Sequence, residues 1–116
     1  MDEFDIPIFK KAYALYKDFY GIRSSVSKQD RYTIYLRCEN VILDIIERIL
    51  LSSEQSKIEK LPTLKQTSVK LNLLRVLIRL AKDVKAINIK KYTTLEESID
   101  EIGRMLGGWI KSTKES

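Results

Sequence analysis

The sequence predicts an all-α protein, an antiparallel up-and-down four-helix bundle. Three observations carry that prediction. Apolar residues recur at alternating spacings of three and four in four separate stretches, the period of helices packed nearly parallel. Helix breakers are scarce, four Gly and two Pro in 116 residues. Polar stretches separate the four patterns, as they do between antiparallel neighbours in a bundle. The length suits one domain, residues 1–116, with a modest core.

The first helix is expected from about Pro7 to Arg23. Proline suits a first helical position, where its missing N–H costs no bond. Ile8, Ala12, Leu15, Phe19, Ile22 and Val26 form the seam. Phe9, Tyr13, Tyr16 and Tyr20 make a second stripe beside it. Such tyrosines either stack on nucleic-acid bases or widen the core face and fill a subunit contact. The second reading is the commoner use of tyrosine.

The second helix is expected from about Lys28 to Leu51. Its seam is Ile34, Cys38, Val41, Ile45 and Ile49, with Ile42, Ile46 and Leu50 alongside. Cys38 on that seam reads as a buried, inert thiol, since the chain has no histidine to activate it. A single cysteine also excludes an intramolecular disulfide and a Cys/His zinc site.

A connection follows in which Pro62 disfavours helix at Leu61. The third helix is expected from about Thr63 to Ala86, with Leu64, Leu71, Leu74, Ile78 and Ala81 as its seam. Asn72, Arg75, Arg79 and Lys82 keep the same spacing on an adjoining face, side chains roughly 5.4 Å apart along the axis. Either that row meets phosphates, or Arg75 and Arg79 pair with an acid such as Asp100 or Glu101 on the next helix.

Residues 87–92 read as a turn. Thr93 with Glu96, or Thr94 with Glu97, fits a capping box for a fourth helix over about 94–111. Leu95, Ile99, Ile102, Leu106 and Trp109 form its seam, Trp109 as an anchor in the core or an interface. Gly103 and Gly107 share one face, and each costs about 0.8–1 kcal/mol against alanine. Close approach of another helix, in the bundle or from another subunit, would account for them. The tail from Lys111 to Ser116 reads as polar and frayed.

The net charge is +5. Residues 57–91 hold ten basic and two acidic residues, net +8, which leaves −3 for the rest. Such clustering points to a polyanion, nucleic acid first, or else to a solvated lysine-rich face. The sequence contains no phosphate-binding Gly-rich loop, no Glu-x-x-His pair and no histidine for a triad. An enzyme, a metal or a cofactor is therefore not expected. No stretch approaches a membrane span, and the acidic opening MDEFDIP is unlike a signal peptide. A cytoplasmic protein is expected.

The runs LLRVLIRLAKDVKAINIKKY (residues 73–92) and DEIGRMLGGWIK (100–111), with DRYTIYLRCEN (30–40), resemble accessory variability determinant (Avd) proteins of diversity-generating retroelements. The similarity extends over most of the chain, and EIGRMLGGWIK is its specific part. The resemblance implies a four-helix bundle assembled as a barrel-shaped homopentamer. It implies a noncatalytic accessory that binds the element's reverse transcriptase and nucleic acid, including template-repeat RNA, in mutagenic retrohoming. Five copies at +5 would carry +25.

Arg75, Arg79 and Lys82 match the family's basic pattern on the third helix, Arg104 lies in the GRMLGGW-type run, and Arg31 opens the second helix. With Lys85 these are the expected nucleic-acid or partner-binding residues. Gly103, Gly107, Trp109, Tyr13 and Tyr16 are the expected packing or oligomer contacts. The family often has a proline shortly before that arginine and a glycine after the next apolar residue. Here Ser27 or Lys28 and Tyr35 stand instead. Four-helix proteins encoded by intervening sequences of 23S rRNA genes are similar too. A general protein-interaction module, using the tyrosine stripe and Trp109, is the remaining alternative.

Overall fold

The computed structural model describes residues 2–115. Among these residues no strand forms. Four long helices build the bundle: α1 (Pro7–Gly21), α3 (Ile34–Glu54), α4 (Lys57–Asp83) and α5 (Ile89–Glu115), with a one-turn helix α2 (Lys28–Arg31) inside the first connection. Short 3-10 turns cover Glu3–Asp5 and Arg23–Ser25. Each long helix packs on two others, in the cyclic order α1, α3, α4, α5. The bundle measures 46 × 24 × 21 Å.

The core follows the heptad seams. Ala12, Leu15 and Phe19 on α1, Cys38, Val41, Ile45 and Ile49 on α3, Leu64, Leu71, Leu74 and Ile78 on α4, and Leu95, Ile99, Ile102 and Leu106 on α5 are all buried. Burial pushes the Cys38 thiol up to about 12, so it stays protonated and unreactive.

The expected second helix is broken. Ser27 caps α2 by accepting from the Asp30 N–H, and the chain kinks at Thr33 (φ −121°, ψ −101°) before α3 begins. The Thr33 hydroxyl donates back to the Gln29 carbonyl at 3.0 Å, a side-chain bond that competes with helix continuation. The kink brings Tyr35 inward. Its ring stacks on Phe19 with centroids 4.3 Å apart, and its hydroxyl donates to the Phe19 carbonyl at 2.7 Å. Desolvation pushes the Tyr35 phenol up to about 12.

α4 begins at Lys57, six residues before the expected Thr63. Ser56 and Glu59 form a full capping box there, which satisfies the first turn ahead of Pro62. Hydrogen bonds from the Ser56 hydroxyl and backbone hold the Glu59 carboxyl below its usual range. α4 stops at Asp83 rather than Ala86. α5 begins at Ile89, not at Thr93 or Thr94, because Asn88 caps it by accepting from the Lys91 N–H at 2.8 Å. The Thr93 and Thr94 hydroxyls instead donate to the carbonyls of Ile89 and Lys90, inside the helix. The segment expected to fray continues as helix to Glu115, and Ser116 lies outside the described residues. α1 ends at Gly21, two residues before the expected Arg23.

In this topology the α1–α3 and α4–α5 connections share one end of the bundle. The Lys91 ammonium donates to Ser25 Oγ at 2.8 Å across that end. The α3–α4 connection and both termini occupy the other, where Glu3 and Ile6 border a groove with Leu50, Leu51, Ser53 and Glu54.

Candidate nucleic-acid interface

The shared end of the two connections gathers the charge. Residues 22–33 and 79–91 hold eight basic residues and two acidic ones, net +6, so the rest of the chain sums to −1. An open groove of about 860 Å³ lies there, lined by Ser25, Lys82, Lys85, Asn88, Lys90 and Lys91 among others. Arg23 and Lys28 are exposed at the same end. Lys85 and Lys90 make no ion pair among the described residues.

Local structure shows how costly this arrangement is. α4 ends in a Schellman motif: the Ala86 N–H reaches the Ala81 carbonyl at 2.8 Å and the Lys85 N–H the Lys82 carbonyl at 2.9 Å. The motif requires a left-handed residue at Lys85 (φ 66°), where glycine is the easy choice. Lys90 and Lys91 occupy the first turn of α5, which holds no acid, so they face the positive end of the helix dipole. Lys85 thus sits where glycine would be more stable, and Lys90 and Lys91 where acidic residues would be.

The expected binding residues are divided by the structure. Arg79, Lys82 and Lys85 reach this end. Arg79 is well exposed, with only a long contact of 4.0 Å to Asp83. Lys82 lies over the Tyr92 ring at 4.6 Å and near Asp83 at 3.5 Å. The Tyr92 hydroxyl in turn donates to Glu96, which raises the phenol's pKa. Arg31 is close by but turned inward, its Nε donating to the Val26 carbonyl at 3.0 Å.

Arg75 and Arg104 sit mid-bundle instead, on a small groove between α4 and α5 that Gly103 and Asp100 also line. Arg75 donates to Asn72 Oδ1 at 2.8 Å and pairs with Asp100 at 3.4 Å. Its guanidinium fills the space where a Cβ on Gly103 would stand, 2.7 Å from Nη2. Gly103 therefore makes room for an arginine side chain rather than for a neighbouring backbone. A Cβ on Gly107 or Gly108 would meet nothing within 4 Å. Trp109 is half-buried with Lys60 over its ring at 5.6 Å. Tyr13 is exposed against Phe4, and Tyr16 is half-buried, donating to Glu39 at 3.2 Å. Burial and the nearby Glu39 raise the Tyr16 pKa.

Sequence reasoning counted Lys90 and Lys91 in the basic stretch 57–91 without naming them as binding residues, and missed Arg23 and Lys28. In an up-and-down bundle alternate connections meet at one end, so summing charge over the first and third connections would have found them. Among the described residues no group of His, Cys, Asp and Glu could hold a metal ion, and no helix is long and apolar enough to cross a membrane.

Comparison with curated proteins gives no match. A family model described as bAvd-like matches residues 7–113, from the first residue of α1 almost to the end of α5. The match covers all four long helices and both segments of the basic end, and the chain belongs to the bAvd-like family.

Proposed function

We infer that this chain is the noncatalytic accessory protein of a diversity-generating retroelement. It works as a homo-oligomer, a ring of five by the family resemblance, and binds the element's reverse transcriptase together with template-repeat RNA or its cDNA. The observation that carries the nucleic-acid part is the +6 end of the bundle. Lysines and arginines there neutralise phosphates and release counterions, which gives affinity with little base readout. The chain's contribution is binding and positioning, while the polymerase supplies the chemistry.

The test is reconstitution with a reverse transcriptase of a diversity-generating retroelement and RNA carrying that element's template repeat. The expected result is a stable complex of all three and cDNA synthesis from the template repeat that depends on this protein. Synthesis equally efficient without it, and no complex with enzyme or RNA, would overturn the reading.

A further inference from the structure

A second, smaller pocket opens at the basic end. It holds about 310 Å³ and is lined by Tyr20, Gly21, Arg23, Ser24 and Arg31. Tyr20, on the last turn of α1, is 60% exposed. Gly21 beside it adds no side chain, and a Cβ there would meet nothing within 4 Å. The pocket therefore stays open next to the tyrosine.

Two arginines border that space, and no acid lines it. Arg23 is exposed and makes no ion pair among the described residues. Arg31 donates from Nε to the Val26 carbonyl. That bond fixes the plane of the guanidinium and leaves its two Nη groups without a partner among the described residues. Asp30, next to Arg31 in sequence, pairs with neither arginine. Glu39 accepts from the Tyr16 hydroxyl, and Asp18 borders a separate groove with Lys90 and Lys91.

The pocket is continuous with the larger groove. Arg23 and Ser24 of the 3-10 turn line the pocket, while Ser25 of the same turn lines the groove with Lys82, Lys85, Lys90 and Lys91. A chain of phosphates that follows those lysines reaches Tyr20 by crossing this one turn.

We propose that the pocket takes one unpaired nucleotide of a single strand, its base stacked on Tyr20 and its phosphate held by Arg23 and Arg31. The proposal rests on the nucleic-acid reading above and names the form of nucleic acid that the basic end selects. An exposed ring beside two unpaired guanidinium groups matches a ligand with a flat π-face and an anionic oxygen group. A duplex supplies the phosphates but keeps its base faces stacked on one another. An acidic peptide supplies the charge without the flat face.

The experiment measures affinity for a single-stranded RNA and for a duplex of the same length, across a salt series. It compares the full chain with Y20A, Y20W and R23A, with helicity and mass in solution as controls. Tyr20 and Arg23 are exposed, so a native fold is expected. Y20A should bind the single strand about 10-fold more weakly, and Y20W should restore it. The salt slope of Y20A should match wild type, because stacking releases no counterions, whereas R23A should lose about 0.7 of slope. Duplex affinity should be the same in wild type and Y20A. A single strand carrying 5-iodouridine should crosslink to Tyr20 under ultraviolet light, with the site located by mass spectrometry. A wild type that binds neither RNA overturns the nucleic-acid reading and this proposal with it. A wild type that binds RNA, with Y20A equal to it on the single strand or weakened equally on both RNAs, overturns only the pocket. A Y20A chain altered in helicity or mass makes Tyr20 a packing or subunit contact and also overturns it.

Discussion

The two ends of the bundle solve the same problem in opposite ways. At the termini end, α4 starts with a capping box whose acid, Glu59, suits the helix dipole. At the other end, α5 starts with Asn88 followed by Lys90 and Lys91, with no acid in its first turn. The segments 2–6, 52–59 and 111–115 at the termini end sum to −3, against +6 opposite. The termini end carries the full capping box, although Lys57 in the same first turn and Glu54 at the end of α3 oppose their helix dipoles. The other end keeps residues that oppose helix stability, including a left-handed Lys85. The ends differ most in charge, and the concentration of positive charge at the α4–α5 end is what a surface kept for a polyanion requires.

The sharpest way to break this comparison is to reverse Lys90 and Lys91. At about 100 mM salt, K90E/K91E should bind RNA about 100-fold more weakly, as two phosphate contacts are lost and repulsion added. The same variant should melt slightly higher than wild type, since acids now meet the N-terminus of α5. A fall in both affinity and melting temperature would mean that the lysines are structural.

Lys85→Gly separates strain from charge at one residue. Relief of the left-handed backbone should stabilise the fold by about 1 kcal/mol in chemical denaturation, while RNA affinity drops several-fold. Gly107→Ala, in the half of α5 nearer the termini, probes a helix interior outside the basic end. With nothing near its Cβ, alanine should add about 0.8 kcal/mol to the stability of the separate subunit and leave RNA binding unchanged. The smallest effect concerns Glu59. Its carboxyl is lowered in the folded state from 4.5, so its contribution is fully present above that value. The contribution fades as pH falls through the lowered folded value. The stability difference between wild type and E59Q, followed by denaturation from pH 7 to pH 3, should therefore shrink toward acid.

The seams were legible because burial follows the three-and-four spacing directly; Cys38, Leu71 and Ile102 lie where the pattern puts them. The boundaries were less so. Thr33 is β-branched but otherwise unremarkable in sequence, and the kink there depends on Tyr35 finding the Phe19 ring and carbonyl. The Schellman stop at Lys85 was hidden because the residue is not glycine. The basic end was hidden because it is made from residues about 60 positions apart in sequence, as the Ser25–Lys91 bond illustrates. The linear count placed the charge on residues 57–91 as one stretch, yet Arg75 is held by Asp100 and Asn72 in the middle of the bundle.

The salt dependence of RNA binding tests the central claim most directly, compared among wild type, K90E/K91E at the basic end and K111E/K114E at the termini end. Log affinity should fall steeply with log salt for the wild type. For a duplex the slope should lessen by roughly two, at about 0.9 per phosphate, in K90E/K91E and stay unchanged in K111E/K114E. Equal slopes in the two variants, or a shallow slope in the wild type, would contradict the assignment of nucleic acid to the α4–α5 end.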